Sequence, residues 1–546
     1  MRTIGRALAG AVVTAVALLG LVSGAEPAAA QEKPPLLWDT AVEEDATDAE
    51  ADDEPRLPSP WLRVPELMIF PRLGGFLLAP RDAGYYSLYD LLLGRRRPSP
   101  PLFPYPAFSL KAFPFYDADF RYLERPDNTQ LDIFDPLKRI HLFDNWLLSS
   151  GGEFRYRYMN EVDSRLTGSN NEYNLYREIF YLDLCFRDQF RLFAEFLSGE
   201  SAGHELPPLA IDENPADMVD LFIDWKLFEL GGKNAYLRVG RFEMLLGSER
   251  LISPLEWVNT LRNFQGLWAF RQGERIDVHA FLVQPIRIDA DAFDWIDPDQ
   301  TFAGLWGTHR PKPGTSADLY LLNRTFDRPD FLGRDGVRGG FDINTLGIRW
   351  VGDYDRRWLW DFEGMFQFGR WVNQRMLAGA ATASVGYRFA EVPTVPQFWL
   401  AWDWASGDPN PGQGATFSTF NQLFPFGHYY LGYLDLVGRQ NIRDLNGQIA
   451  FYPTRWITCL AQVHCFWLDQ PRSPLFNAGG VPIRRDPTGR AGRDVGREID
   501  LLANIHLDAH QDILIGWSKL FAGRFIKETG DPGSPELFYV QYQFRW

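Results

Sequence analysis

The sequence predicts an all-β fold, a transmembrane antiparallel β-barrel of about 18 strands with an N-terminal extension. Three observations support this prediction. Many segments of about 10 residues alternate between apolar and polar residues with a period of two. Aromatic residues make up 15% of the chain although 23% of it is charged, a composition typical of barrels with lipid-facing and lumen-facing residues and aromatic girdles. No apolar run reaches the roughly 20 residues that a transmembrane helix needs.

The first 30 residues are predicted to be a secretory signal peptide. Arg2 and Arg6 precede an apolar run over residues 8–21, and a stretch of small residues ends at Ala30. A retained membrane anchor is the alternative, which we disfavour because the apolar run is too short to span a bilayer as a helix. We therefore expect Sec-type cleavage near Ala30-Gln31 and delivery to the bacterial outer membrane.

Two further segments precede the predicted barrel. Residues 31–60 are predicted to form an acidic disordered linker, because the run 42–54 is rich in carboxylates and has too little apolar surface to bury. Residues 61–140 are rich in proline and aromatic residues and show no clear period. We interpret them as an N-terminal extension that is periplasmic, with a plug-like segment in the lumen as the alternative. The barrel is then expected over 141–546.

The last ten residues show the alternation most clearly. Aromatic and aliphatic residues occupy one face, and mainly polar residues occupy the other. The first face consists of Phe538, Val540, Tyr542, Phe544 and Trp546, and the second of Tyr539, Gln541, Gln543 and Arg545. Successive side chains of a strand point to opposite sides, so one face suits lipid and the other suits water.

Eighteen such segments are predicted to be strands. They are 151–162, 174–187, 189–200, 220–229, 234–245, 264–272, 274–284, 301–310, 315–326, 341–352, 358–372, 374–389, 396–406, 441–452, 456–469, 498–508, 511–522 and 536–546. A barrel of about 16–18 strands leaves an aqueous lumen, whereas about eight strands fill their interior with side chains. A soluble sandwich or propeller is the alternative, but its strands would be shorter and more uniformly buried.

Charged residues repeatedly take the side of a strand that faces away from lipid. By alternation we place four arginines inside the barrel: Arg155, Arg157, Arg349 and Arg388. Five acids are placed there as well: Glu153, Glu195, Asp361, Glu363 and Asp403. Guanidinium groups keep their charge and match carboxylates bidentately, so they suit an anionic solute. The alternative for each arginine is an ion pair with one of these acids that braces the barrel wall.

Several function classes are disfavoured. A net charge of −16 argues against nucleic acid as a partner, because phosphate binding needs a basic surface. We find no nucleophile elbow, zinc-protease motif or phosphate loop, so the chain is not expected to be an enzyme. No cofactor is predicted. No metal site is predicted either, since His464 and Cys465 are neighbours on a strand and point to opposite faces.

Three blocks of sequence, in order, resemble the alginate export family. The first contains Asp135-Pro136-Leu137-Lys138-Arg139-Ile140 and Gly151-Gly152-Glu153-Phe154-Arg155-Tyr156-Arg157-Tyr158. The second contains Gly240-Arg241-Phe242-Glu243, Gly247, Arg250, Asn259, Arg262-Asn263-Phe264 and Gly266. The third contains Ala405-Ser406-Gly407-Asp408, Phe420-Asn421-Gln422-Leu423-Phe424-Pro425, His428 and Gln440-Asn441-Ile442. The extension before residue 135 has no counterpart in this resemblance.

The resemblance implies an eighteen-stranded outer-membrane barrel whose constricted, arginine-rich lumen passes a polyanionic polysaccharide outward. It also implies that Arg241, Arg250 and Arg262 line the channel near the constriction. The remaining motif residues are expected to have structural roles: Gly240, Glu243, Asn259, Phe264 and Gly266.

The sequence thus leads to a channel hypothesis with two alternatives. The chain is expected to pass anionic solutes and to export an anionic polysaccharide such as alginate. The first alternative is a general or solute-specific diffusion porin, and the second is an enzyme or adhesin that uses the barrel as a scaffold. Expected partners are outer-membrane lipid and lipopolysaccharide, an anionic polysaccharide or small anionic solutes, and a periplasmic secretion partner.

Overall fold

The computed structural model describes part of the extension and all but three residues of the predicted barrel. The described residues are 83–97, 114–118, 120–124, 132–312, 314–354 and 357–546. The predicted signal peptide (1–30) and acidic linker (31–60) lie outside the described residues.

Within the described residues, eighteen strands form a closed antiparallel barrel. They are β1 (Trp146–Val162), β2 (Asn171–Phe186), β3 (Phe190–Ala202), β4 (Asn214–Leu230), β5 (Lys233–Glu243), β6 (Asn263–Gln272), β7 (Ile276–Arg287), β8 (Gln300–His309), β9 (Thr315–Leu332), β10 (Arg338–Tyr354), β11 (Trp358–Trp371), β12 (Gln374–Arg388), β13 (Gln397–Ala405), β14 (Ile442–Thr454), β15 (Ile457–Leu468), β16 (Asp494–His506), β17 (Gln511–Ala522) and β18 (Glu536–Arg545). The ring closes where β1 pairs with β18, with Glu153 opposite Arg545 and Val162 opposite Glu536. Closure leaves no exposed sheet edge in the membrane.

The predicted fold class is confirmed. Each of the eighteen predicted segments overlaps one barrel strand, and the ends differ by a few residues. The largest differences occur where strands extend beyond the predicted alternation, as at the ends of β4 and β9. At the end of β9 the exposed side chains include Asp327 and Asp330, so the apolar alternation stops before the strand does.

Alternation decides which side chains face the lumen. On β10, Leu346, Ile348 and Trp350 are 46%, 61% and 52% exposed on the outside, whereas Thr345 and Arg349 are at most 1% exposed. The outer face provides the apolar band that contacts lipid. The inner face holds charged side chains that the barrel contents cover.

Two motif glycines allow neighbouring strands to pack closely. Gly240 of β5 lies directly opposite Gly266 of β6, with φ angles of +138° and +157°. A Cβ on Gly240 would lie 2.3 Å from the carbonyl oxygen of Leu221, and one on Gly266 would lie 2.3 Å from that of Leu282. Only glycine fits both the backbone conformation and the space.

The two ends of the barrel differ in the length of their connections. Turns at one end are short, such as 231–232 and 455–456, while most connections at the other end are long. Short turns mark the periplasmic end of such barrels, and the C-terminal Trp546 lies at that end. The long connections contain most of the remaining secondary structure.

Short elements complete the described secondary structure. The helices are α1 (Leu88–Leu92), α2 (Gly427–Tyr430) and α3 (Arg524–Thr529), with 3₁₀ turns at Phe115–Asp117, Arg121–Glu124, Asp135–Leu137, Ser164–Leu166 and Arg334–Gly336. Short strands lie at Ile140–Leu142, Trp295–Ile296, Thr416–Phe417, Leu475–Phe476 and Pro482–Arg484. In the residues described, every helix falls short of the length and apolarity required to cross a bilayer.

Candidate channel interior

Two long connections fold into the barrel and pair with each other. We call residues 244–262, between β5 and β6, insert A, and residues 406–441, between β13 and β14, insert B. The Phe424 amide donates to the Leu251 carbonyl at 3.0 Å, and the Phe426 amide donates to the Glu249 carbonyl at 2.9 Å. The inserts therefore form one hydrogen-bonded body.

Insert A crosses the lumen from one wall to the opposite one. At one end its Glu256 and Val258 carbonyls accept from Arg155 of β1, at 3.0 and 2.6 Å. At the other end Arg250 donates to Glu363 of β11 at 2.8 Å. Strands β1 and β11 lie about half the ring apart, so the insert constricts the interior.

Two asparagines from the motif blocks anchor the chain at the inserts. Asn259 Nδ2 lies within 3.1 Å of the carbonyl oxygens of Tyr176, Glu200 and Asp212. Asn441 Nδ2 similarly lies within 3.1 Å of three carbonyls in the loop after β15. Asn259 thus ties insert A to carbonyls of β2, β3 and the loop after β3, and Asn441 ties the end of insert B to the loop after β15.

One group of interior arginines binds carboxylates, and we call its members the paired arginines. They are Arg177, Arg238, Arg250, Arg349 and Arg439. Arg349 forms a bidentate pair with Asp361, with N···O distances of 2.7 and 2.8 Å. Arg177 contacts Glu153 at 2.6 Å, and Arg439 contacts Asp403. These pairs mostly join neighbouring strands or fix an insert to the wall.

A second group of interior arginines binds neutral acceptors, and we call its members the uncompensated arginines. They are Arg155, Arg157, Arg262 and Arg324. Arg157 donates to Gln541 Oε1 at 2.6 and 2.9 Å, and its guanidinium lies 3.6 Å from the centre of the Trp257 ring in insert A. Arg262 donates to the carbonyls of Ser253 and Pro425 at 3.3 and 3.1 Å.

The other two uncompensated arginines have similar surroundings. Arg324 of β9 donates to Gln300 Oε1 at 2.7 Å and to the Leu423 carbonyl at 3.2 Å. The Glu256 carboxylate is 3.9 Å from Arg155, beyond hydrogen-bond reach, and is itself bound by Arg177 at 2.6 Å. Burial and the like charge of Arg324 lower the pKa of Arg262 to about 9, still above neutral pH. Among the described residues, Arg157, Arg262 and Arg324 therefore carry positive charge with no carboxylate bound to them, and Arg155 shares the Glu256 carboxylate with Arg177.

Two predicted arginines fall outside these groups. Arg241 contacts Asp217 at 3.2 Å and the Asp294 carbonyl at 2.8 Å, so it binds one acid and one neutral acceptor. Arg388 is half-buried at the end of β12, where its backbone amide donates to the Arg357 carbonyl at 2.8 Å.

The five predicted acids differ in their partners. Four contact arginines: Glu153, Asp361, Glu363 and Asp403. Glu195 instead lies beside Asp220 and Glu243, and no arginine in the described part of the chain binds it. Of the structural motif residues, Phe264 is fully buried and packs edge-on against Phe424 of insert B, with ring centres 5.1 Å apart.

A short piece of the extension also lies against the inner wall. Within 114–118, Tyr116 is 2% exposed, and its hydroxyl donates to the Glu243 carbonyl at 2.9 Å. Its ring packs edge-on against Phe193 and Phe222 of β3 and β4. The Tyr116 carbonyl accepts from Arg191 at 2.7 Å. This piece thus occupies space inside the barrel.

Sequence reasoning did not single out Arg177, Arg238, Arg324 or Arg439. Arg177 lies directly across from Arg155, and Arg238 directly across from Asp224, in the strand register. Period-two alternation on β2 and β5 could have identified Arg177 and Arg238 as residues that face the lumen. Arg439 belongs to an insert, where no period exists to reveal it.

A closed barrel with an apolar outer band, charged inner wall and inserted loops defines the class of protein as an outer-membrane channel. The alginate export family model matches residues 146–540, which is most of the chain. The chain therefore belongs to the alginate export family. Comparison with curated proteins finds no significant match.

The solved structures that are similar to this chain include OpdO and the outer membrane protein OprD, both from Pseudomonas aeruginosa. OpdO is 12% identical with a TM-score of 0.50, over 73% of this chain and 97% of OpdO. OprD is 10% identical with a TM-score of 0.47, over 73% of this chain and 94% of OprD. These likenesses concern the fold alone.

Proposed function

We propose that this outer-membrane channel exports an anionic polysaccharide, a polyuronate such as alginate, along its uncompensated arginines. The observation that carries the proposal is the positive charge of Arg157, Arg262 and Arg324, whose hydrogen-bond partners among the described residues are all neutral acceptors. Charged groups in a narrow pore select solutes of the opposite sign, and several successive sites let the solute move on. Export also implies a periplasmic secretion partner that delivers the polymer.

The contacts of these arginines suggest how the polymer passes the inserts. Each uncompensated arginine touches an insert through a carbonyl group or an aromatic ring. A carboxylate is a stronger acceptor for a guanidinium than a neutral carbonyl. Carboxylates of an entering polymer would therefore displace the insert carbonyls, and the polymer would loosen the constriction as it binds.

Single-channel recording in planar bilayers tests this proposal. The wild type is compared with Arg157→Gln/Arg324→Gln, with polyuronate added to the periplasmic side. We expect anion-selective current that polyuronate blocks, with at least about tenfold more polymer needed in the variant, the equivalent of about 1.4 kcal/mol. The matched control is Arg238→Met/Asp224→Leu, which removes a guanidinium together with its carboxylate and leaves the interior charge unchanged.

Other results would exclude the proposal. Weakly selective current that polyuronate does not block, in wild type and variants alike, would indicate a general diffusion porin. Block by small organic anions and not by the polymer would indicate a porin for anionic solutes. An equal loss of block in the control would show that barrel distortion, and not interior charge, controls the effect.

A further inference from the structure

We propose that Glu195, Asp220 and Glu243 form a binding site for a hard divalent cation of the Ca²⁺ type on the inner barrel wall. These side chains come from three adjacent strands, β3, β4 and β5. One carboxylate oxygen from each of the three residues lies within 4.8 Å of the corresponding oxygens of the other two. Oxygen ligands at about 2.3–2.6 Å from Ca²⁺ can be up to about 5 Å apart, so the spacing fits a common ion.

The strand register holds the three acids together. Glu195 lies directly opposite Asp220 in the pairing of β3 with β4. The backbone amide of Glu243 donates to Asp220 Oδ1 at 2.7 Å. The three residues are 1%, 0% and 3% exposed, so their convergence belongs to the folded wall and not to a solvated surface.

Among the described residues, the cluster lacks a positively charged side chain that binds its free oxygens. Both carboxylate oxygens of Glu195 and Oδ2 of Asp220 are buried without a hydrogen-bond partner among the described residues. Isolated buried charge is expensive, and three adjacent buried carboxylates repel one another as well. A bound cation supplies the missing countercharge.

Nearby arginines do not fill this role because other acids hold them. Arg177 binds Glu153 and Glu256, both at 2.6 Å, and Arg191 binds Asp183 at 2.7 Å. Arg238 binds Asp224 at 2.8 Å. The ion pairs of these three arginines are therefore made with acids outside the cluster.

A small cavity lies beside the cluster. Glu195 and Glu243 line a space of about 10 Å³, together with Phe115 and Leu261. That is close to the smallest volume that admits one water molecule. Arg545 also lines this cavity, where it contacts Glu153 at 2.9 Å. A small ion or its water ligand fits here.

A cation at this cluster would lie next to the contact that fixes the N-terminal piece to the wall. Tyr116, which fixes the piece 114–118 to the wall, donates to the carbonyl of Glu243 itself. A cation held by Glu243 would therefore brace the wall where the N-terminal piece and insert A meet. This inference is independent of the proposed cargo.

Equilibrium dialysis with ⁴⁵Ca²⁺ tests the site. Full-length protein in detergent is treated with EDTA and dialysed against micromolar CaCl₂, as wild type and as Glu195→Gln/Glu243→Gln. We expect the variant to bind one Ca²⁺ fewer per chain. Any calcium bound by the acidic run 42–54 is the same in wild type and variant, so it does not affect the difference between them. Glu172→Gln, at an exposed acid outside the cluster, is the matched control and should keep the full amount.

Heat-modifiable gel migration verifies that each barrel is folded, and Asp220→Asn replaces the double variant if the latter fails this check. Equal calcium binding in wild type and folded variants would overturn the proposal. A second result would also overturn the proposal: infrared bands of protonated carboxylic acids in calcium-saturated wild type that are absent from the variant. Such bands would mean that protons, and not a cation, neutralise the cluster.

Discussion

The paired and the uncompensated arginines share the barrel interior but differ in what they bind. Arg349 binds a carboxylate on the next strand, and so stabilises the wall itself. Arg155 and Arg262 bind backbone carbonyls of the inserts, and so stabilise the contents of the lumen. In the barrel wall, arginine thus forms part of a neutral ion pair. At the inserts, arginine keeps its positive charge and makes a contact that another acceptor can replace.

This difference has an energetic basis. A buried ion pair gains attraction that roughly offsets its desolvation, but either partner left alone is strongly destabilising. A guanidinium held by carbonyls leaves no carboxylate behind when it is removed. The two groups of arginines should therefore respond differently to the same substitution.

The largest expected effect is the loss of stability in Arg349→Met. Among the described residues, the substitution leaves Arg250 in contact with Asp361 and Glu363, and it should lower the free energy of unfolding by about 3–5 kcal/mol. Arg157→Met strands only the neutral Gln541 acceptor and should cost about 1–2 kcal/mol. Urea unfolding in lipid vesicles, followed by tryptophan fluorescence, measures both. Equal losses would remove the distinction between the groups.

An intermediate effect is expected when insert A loses its asparagine anchor. Asn259→Ala frees three backbone carbonyls and should cost about 1–3 kcal/mol locally. Hydrogen exchange of residues 244–262 should then be about tenfold or more faster. Asn504→Ala is the matched control, because its buried amide donates to Asp512 on the next strand, both residues lie outside the inserts, and exchange in insert A should stay unchanged. Uniformly faster exchange in both variants would contradict separate anchoring.

A smaller effect is expected from Trp257→Phe. Tryptophan is the best aromatic partner for a cation, so the smaller ring should weaken the contact with Arg157 by about 0.5–1 kcal/mol. The charge of Arg157 remains, so polyuronate block should change less than about twofold. Channel recording beside Arg157→Gln makes the comparison. A loss of block as large as in Arg157→Gln would mean that the ring, and not the charge, controls block.

The strands were predictable because a barrel in lipid imposes period-two alternation on every strand. Trp350 and Arg349 are adjacent in sequence and face lipid and lumen respectively, as the alternation predicts. The strand count followed from the same signal, since each strand repeats it independently. Turn residues then marked the boundaries to within a few positions.

The contents of the lumen were not predictable in the same way. Insert A has no period, and its contact between Arg250 and Glu363 joins residues more than 100 positions apart. The cluster of Glu195, Asp220 and Glu243 depends on the register of three strands, which alternation alone does not define. The sequence therefore predicts which side chains face the lumen. It does not predict which residue each of them binds there.

Arg241 stands between the two groups, because it binds both the Asp217 carboxylate and the Asp294 carbonyl. Asp294 lies in the connection 288–299. Burial and a hydrogen bond with Asp217 raise the pKa of Asp294 to about 7, and Asn214 also donates to it at 2.8 Å. The folded protein thus binds this proton more tightly than the unfolded chain.

The smallest expected effect is a pH-dependent loosening of that connection. The stability from protonated Asp294 is fully present below about pH 4 and is lost as the pH rises through about 7. Hydrogen exchange of 288–299, corrected for its intrinsic pH dependence, should therefore be more protected at about pH 5 than at about pH 8. Asp294→Asn keeps an uncharged side chain and should abolish the difference. A pH dependence that persists in Asp294→Asn would assign the effect to another group, and would leave Arg241 held independently of this carboxyl.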